Sequence, residues 1–340
     1  MSALGSELLT LADVAKSKDK QIGKVAEVLV QHNSMLQDCP SMEMNEGTIH
    51  KEDIRSALPA VYYRKANQPI PASKSTIEER TFQATHFESK SQIDRAVAER
   101  GGMDRVAYNR WNQAQGHLQA HAQELASLMI YGSPSTANMK TAGFFDIYST
   151  LAATEETSKQ IIDGGGTGAD NTSILKVHWG ERSIFGIYPK GTKWGIRRED
   201  FSKGGKLVKI PGLDENGNAG DFWGYEEDFL TDHGLVVKDY RQAARIANID
   251  VSDLLTASPA DIIDLMISAN YKIDDLNNGK GVWYVNRTIE AHLHKQALTK
   301  VGAGGGLSFE NFEGKQILTF LGDPIRRMDA ILNSEAQVTA

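Results

Sequence analysis

The chain has 340 residues, 40% hydrophobic and 24% charged, with a formal net charge of -7, an ordinary globular composition with room for two domains or one elaborate one. Its longest basic runs are pairs such as Arg197-Arg198 and Arg326-Arg327, which argues against a tight stand-alone DNA binder, because such a protein needs clustered cations to displace counterions from phosphates. Apolar stretches such as Val25 to Val30 fall far short of the ~20 residues of a membrane span, Met1 to Lys20 lacks the basic-then-apolar pattern of a secretory signal, and the single cysteine, Cys39, excludes an intramolecular disulfide and a cysteine-based zinc site; a soluble protein made in a reducing cytoplasm is expected.

In chain order, Ser6 to Gln31 predicts two short amphipathic helices on an arm. Leu8, Leu9, Leu11 and Val14 form one apolar patch, and Ile22, Val25, Ala26, Leu29 and Val30 another, with polar Lys16 to Lys20 between them. Glu52 to Ile93 is different. It carries Pro59, Pro69 and Pro71 and is rich in Thr and Ser, and Thr81 to Glu88 has β-branched and aromatic residues without helical spacing. Arg55 to Arg64 is expected to pair with Thr81 to Glu88, giving a long two-stranded arm with its tip near Asn67 to Ser75. An isolated hairpin is marginal in water, so the arm needs a surface to lie on, and a neighbouring subunit would supply one.

Met103 to Tyr131 is the strongest helical signal. Trp111, Ala114, Leu118, Ala122, Leu125, Leu128 and Met129 recur at spacings of three and four, no proline interrupts them, and Gly132-Ser133-Pro134 ends the run. At 1.5 Å per residue the helix is about 42 Å long, a spine for a domain. Strands are expected from Ser173 to Val251. Ser173 to Trp179 and Ser183 to Tyr188 flank Gly180-Glu181-Arg182 as a hairpin. Leu207 to Ile210 and Asp221 to Trp223 flank a turn-rich segment, and Gly234 to Val251 is a long β-like run. Ser258-Pro259-Ala260-Asp261 reads as a helix start, with Ile262, Ile263, Leu265, Met266 and Ile267 making a buried helix. A strand at Gly281 to Asn286, a helix at Arg287 to Thr299 and a strand at Lys315 to Leu321 complete an α+β chain.

Gly164-x-Gly166-x-x-Ala169 satisfies the dinucleotide-binding string. That motif works only between a strand and a helix, whose N-terminus binds the pyrophosphate. Here the lead-in from Thr154 reads as helix and the lead-out from Thr172 as strand, so a connecting loop is the better reading. Asp214-x-Asn216-x-Asn218 starts like a calcium loop, but Ala219 and Tyr225 stand where glycine and glutamate are required. His117 and His121 share one helix face without further metal ligands, and are read as surface or interface histidines, as are His292 and His294. The carboxylates are scattered, so nothing points to catalysis: no catalytic, cofactor-binding or metal residue is assigned.

The order of helical arm, extended arm, spine helix and mixed body resembles the major capsid proteins of tailed double-stranded DNA bacteriophages with the Hong Kong ninety-seven type shell fold. Gly186 to Gly191, Arg245 to Val251, Trp283 to Arg287, Gly322 to Arg326 and Gly165 to Ile174 are similar to strings in the coat proteins of short-tailed, epsilon-fifteen-like phages. The resemblance covers nearly the whole chain and is weakest before Gln21. It implies an N-terminal arm at 1–50, an extended loop at 51–95, a peripheral domain at 96–250 with the spine helix at 104–131, an axial domain at 251–315 and a return strand at 316–340.

The resemblance also implies a non-enzymatic function: pentamers and hexamers of the chain close into an icosahedral head around double-stranded DNA, bound without sequence specificity. The implied partners are copies of itself, a separate scaffolding protein, a portal protein and a decoration or cement protein, with no membrane and no cofactor. The implied location is the virion, after assembly in the host bacterial cytoplasm. The extended loop starts too early to leave room for a built-in scaffolding segment, so no maturation cleavage is expected. Arg64, Lys65, Arg80 and Lys90 are the candidates to bridge subunits, against the alternative that each is a solvated charge. The rival readings are an encapsulin-like cargo shell of the same fold, a nucleotide-binding enzyme using Gly164 to Ala169, and a minor phage structural protein.

Overall fold

The computed structural model describes residues 33–100, 102, 105–136, 138–213, 216–255, 261–276, 279–299, 307–312 and 315–340. In chain order its elements are β1 (Ser41–Glu43), β2 (Ile49–Ala57), β3 (Thr76–Gln83), β4 (Thr85–Asp94), helix α1 (Val106–Tyr131), β5 (Ile161–Asp163), β6 (Asn171–Trp179), β7 (Ile184–Tyr188), β8 (Ile196–Asp200), β9 (Val208–Leu213), β10 (Ala219–Val237), β11 (Ala243–Asp250), α2 (Ile262–Asn270), β12 (Lys280–Val285), α3 (Arg287–Thr299), β13 (Leu307–Phe312), β14 (Lys315–Phe320) and β15 (Asp323–Arg327). Short helical turns lie between some of them. The two helices expected before Gln31 fall outside the described residues, as does the Ser258 cap; α2 opens at Ile262 behind Asp261.

The chain divides into two compact units. In the larger, β6 is the central strand. It pairs antiparallel with β12 on one side and β11 on the other, and all nine of its residues are buried. Alternation along the strand sends successive side chains to opposite faces. Leu175, Val177 and Trp179 meet the C-terminal part of α1 (Ala126, Met129, Ile130) with Phe144, Phe145 and Tyr148. Ile174 on the other face meets α2 and α3 through Ile262, Met266, Ile289 and Leu293. The strand is covered on both faces although only Ile174, Leu175, Val177 and Trp179 of its nine residues are apolar. Parallel to β12 runs β15, followed by β14 and β13 in antiparallel order.

In the smaller unit, His86–Leu125 and Gly195–Asp232, β10 pairs with β4, β8 and β9. Ile93, Val97, Ala98 and Tyr225 form its core.

Several expectations need correction. The arm is a hairpin, but its partners are Ile49–Ala57 and Thr76–Gln83, with Ile49 opposite Gln83 and Ala57 opposite Thr76. Arg55 to Arg64 therefore does not pair with Thr81 to Glu88. The prolines at 59, 69 and 71 remove strand donors from the stretch beyond Ala57, and residues 58–75 form a long loop. Nor do β6 and β7 form a hairpin ladder: they meet at a single bridge, Trp179 with Ile184, and β7 pairs instead with β1 and β10. Before the glycine string the chain is a short 3₁₀ turn, Glu156–Gln160, leading into β5 rather than a helix. The run from Gly234 to Val251 is broken at Tyr240–Gln242.

Candidate assembly surface

Among the described residues, β2 and β3 pair as strands only with each other, as a two-stranded ribbon. Residues 55–74 are all exposed, among them Leu58 at 78%, Val61 at 89% and Tyr63 at 105% of full exposure. Burying side chains of this size is worth about 1.5–3 kcal/mol each, so the loop carries a large unused driving force. Its charge is one-sided: Arg55, Arg64, Lys65 and Lys74 lie between Arg55 and Thr76 without an acid.

The other end of the ribbon is fixed. His50 is buried with its ring edge-on to Phe185. Its Nε2 lies 3.1 Å from Glu52 Oε1, while Lys238 Nζ donates to Glu52 Oε2 at 2.5 Å. Burial pushes the Glu52 carboxyl up, but the hydrogen bonds from Lys238 and His50 and their charges outweigh it and leave the pKa below the ordinary value. Phe82 packs on Met44, Phe185, Ile187 and Val236, and the Thr141 hydroxyl donates to the Gln83 carbonyl at 3.1 Å.

The four bridging candidates fall in different settings. Arg64 and Lys65 are exposed on the loop. Arg80 is exposed on β3, over a groove of about 880 Å³ that Phe82, Glu156, Leu235 and Tyr240 also line. Lys90, on β4, is engaged within its own unit, 3.1 Å from Glu226 and 3.6 Å from Asp228.

The glycine string has a steric role. The Gly164 N–H donates to the Ala247 carbonyl at 2.8 Å and the Gly166 N–H to the Asn248 carbonyl at 2.8 Å. A Cβ on Gly164 would lie 2.7 Å from the Asn248 carbonyl oxygen, and one on Gly166 2.3 Å from Asn171 Oδ1. The glycines let this loop press against β11, with the Gly164 and Gly166 N–H groups committed to carbonyls and that of Gly165 to the Asp163 carboxylate. Strand β6 follows, where a phosphate turn requires a helix.

Two of the other strings that carried the resemblance, Arg245 to Val251 and Trp283 to Arg287, converge on the segment after β15. Arg245 is buried; it donates to the Tyr148 carbonyl at 2.8 Å and to Glu335 at 3.0 Å, and its guanidinium lies 3.8 Å from the Phe145 ring centroid. Glu335 also accepts from Tyr131 Oη at 2.7 Å. Asn286 donates to Thr172 Oγ1 at 2.6 Å and to Asn333 Oδ1, and accepts the Ile289 N–H at the start of α3. These polar residues are conspicuous in sequence only as breaks in apolar strands, which is the signal that could have marked them.

The histidine reading also changes. His121 is buried, with Nε2 2.8 Å from Ser89 Oγ and Nδ1 2.8 Å from Thr231 Oγ1. His117 stacks on Phe229 and meets the same serine at 2.8 Å. Burial pushes the pKa of both rings down. Apolar and hydroxyl neighbours enclose His121, whereas His117 is only partly buried. Among the described residues no group of three or more His, Cys, Asp or Glu could hold a metal ion, and no helix is long and apolar enough to cross a membrane.

A mixed fold with a ribbon fixed at one end and an apolar, basic loop standing free at the other defines a shell-building subunit. The chain belongs to the major capsid protein GP7 family, whose model matches residues 17–339. It aligns with the cryo-EM structure of bacteriophage Epsilon15 at a TM-score of 0.77 and 33% identity, over 100% of both chains. The capsid of bacteriophage JBD30 aligns at a TM-score of 0.51 and 11% identity, over 95% of this chain and 99% of that one, a likeness of fold. An encapsulin of Synechococcus elongatus PCC 7942 aligns at only 0.44 and 10% identity, over 71% of this chain and 97% of that one, which carries no argument. A search of the curated proteins finds no significant match. The protein is thus a phage major capsid protein of the Hong Kong ninety-seven type fold, a structural component of the virion that assembles with copies of itself.

Proposed function

We propose that the chain assembles as pentamers and hexamers into a closed icosahedral head around double-stranded DNA, without catalysing a reaction. The observation that carries this reading is the ribbon: Leu58, Val61 and Tyr63 stand in water on a loop whose base is fixed by Glu52, Lys238 and Phe82. The extended loop expected at 51–95 lies across a neighbouring subunit through its exposed part, residues 55–74, and buries that surface there. Arg64, Lys65 and Arg80 reach acidic groups of the neighbour; Lys90 contributes through Glu226 and Asp228 of its own subunit or through a shared network.

Residues 1–50 act as a clasping arm, 96–250 as the peripheral domain, 251–315 as the axial domain and 316–340 as the return strand. The negative net charge suits a shell that encloses DNA and releases it, rather than one that grips it. A separate scaffolding protein, a portal protein and a decoration protein are its partners, and assembly takes place in the host bacterial cytoplasm. Cryo-electron microscopy of the purified protein tests the reading. Closed particles with the exposed part of the loop, residues 55–74, seated on a neighbour are expected; a discrete monomer or dimer that never assembles, even with scaffolding protein, overturns it.

A further inference from the structure

The smaller unit holds a polar cluster that the assembly surface does not use. On α1, His117 and His121 stand four residues apart and so share one face of the helix. Both rings aim a nitrogen at the same hydroxyl: His117 Nδ1 and His121 Nε2 each lie 2.8 Å from Ser89 Oγ on β4. On the far side of its ring, His121 Nδ1 lies 2.8 Å from Thr231 Oγ1 on β10. Aromatic neighbours hold the rings in place. The His117 and Phe229 centroids are 5.1 Å apart and stacked, and His121 is 5.3 Å from Phe87. Two imidazoles and a hydroxyl thus converge on one point between a helix and a strand.

We propose that His117 Nδ1, His121 Nε2 and Ser89 Oγ form a binding site for a divalent transition-metal ion of the zinc type, with water as the fourth ligand. Imidazole nitrogen is a common donor to such ions, and three protein ligands with one open position is an arrangement zinc adopts. The third donor is a hydroxyl, so the cluster should hold the ion less tightly than a group of three His, Cys, Asp or Glu would. An ion bound there ties α1 to β4 within one unit.

The surroundings suit a metal ligand set. Metal-bound histidines usually donate their other N–H to a fixed acceptor, which orients the ring and selects the tautomer. Thr231 offers that acceptor: with the proton on Nδ1, the His121 lone pair sits on Nε2, toward Ser89. Burial pushes the pKa of both rings down, against the charge of Glu227 at His117 and together with that of His117 at His121. The rings are therefore in the neutral, ligating form at neutral pH. Glu227 is taken up by Arg110 and Arg198 and is not counted as a ligand. At a metal–nitrogen distance of about 2.1 Å, tetrahedral donors stand about 3.4 Å apart, so the ion requires the present 2.8 Å contacts to open modestly. His117, only partly buried, gives the ion and its water a way in.

The test is calorimetric titration of the untagged, chelator-stripped full-length subunit with zinc chloride. One ion per chain at micromolar concentration is expected, with a melting temperature that rises with zinc. His117→Gln and His121→Gln should each weaken binding by about tenfold or more. Thr231→Val, which alters only the positioning of His121, should weaken it by about tenfold, and Thr231→Ser should restore it. In the wild-type protein zinc should slow hydrogen exchange around Ser89 and from His117 to His121, which places the ion even if a variant fails to fold. No saturable binding, protection confined to other segments, or binding unchanged when both histidines are replaced (an adventitious ion only) overturns the proposal. None of these readings depends on whether shells form.

Discussion

Asn248 holds Val338 through both ends of its side-chain amide: Nδ2 donates to the Val338 carbonyl at 2.9 Å and Oδ1 accepts the Val338 N–H at 2.7 Å. The same Nδ2 reaches Asp163 Oδ1 at 2.9 Å. Asn248 also has a φ of 56°, in the left-handed region that asparagine tolerates better than most residues. One residue therefore supplies both a backbone bend in β11 and the anchor for the segment after β15.

Asn248→Ala should destabilise the subunit by about 2–4 kcal/mol, because it strands buried polar groups and places alanine at positive φ. Asn248→Gly should recover only the backbone part. Urea unfolding of the unassembled subunit measures both, and protease release of the segment around Val338 should accompany the loss.

Gly166→Ala should cost about 1–3 kcal/mol, since overpacking forces neighbours to move and the Asn248 carbonyl, 2.8 Å from the added Cβ, is backbone. Gly220→Ala is the control. No atom lies within 4 Å of its Cβ position and its φ is not positive, so its effect should stay within about 0.5 kcal/mol. Comparing their denaturation midpoints separates a steric glycine from a spacer.

Acid should weaken the fold through His233. This ring is buried beside Trp194, neither nitrogen has a protein hydrogen-bond partner, and burial pushes its pKa down from 6.5 to about 3. Such a base gains its proton on unfolding. Its contribution is complete above the unfolded pKa of 6.5 and is lost as pH falls toward about 3. By pH 4 the loss should be about 3 kcal/mol, and burial of His178 acts in the same direction. His233→Leu should flatten the dependence of melting temperature on pH; an unchanged slope would count against His233 as its source.

Val61→Ser with Tyr63→Ser should leave the stability of the isolated subunit within about 0.5 kcal/mol, because neither side chain is buried there. Shell yield, read by sedimentation, should drop sharply. Normal yield would show that the loop is not the contact. Lys90→Ala should cost at most about 1 kcal/mol of subunit stability, as expected for a half-exposed ion pair.

Periodic segments were legible in the chain. The helix ending at Tyr131, the one from Arg287 to Thr299 and the strand at Lys280–Val285 follow from spacing and terminators alone. Pairing was less legible, because it depends on partners remote in sequence. Ser183 to Tyr188 follows a turn after β6, yet its ladder partners are β1 and β10. The ribbon's existence could be read from composition, but its register could not, since both strands are largely exposed and no buried face sets it. Lys176 and Arg245 lie in strands that hydropathy assigns to the core; their partners Asp323 and Glu335 are known only once the fold brings them together.

The ribbon also bears on what happens between synthesis and closure. Leu58, Val61 and Tyr63 are exposed while the chain waits for a neighbour, and a ribbon with open edges invites further strands to add. Pro59, Pro69 and Pro71 act as gatekeepers on that stretch, because proline cannot donate to a growing ladder. The stickiness needed to build a particle is thus kept apart from the backbone continuity needed to build a fibre.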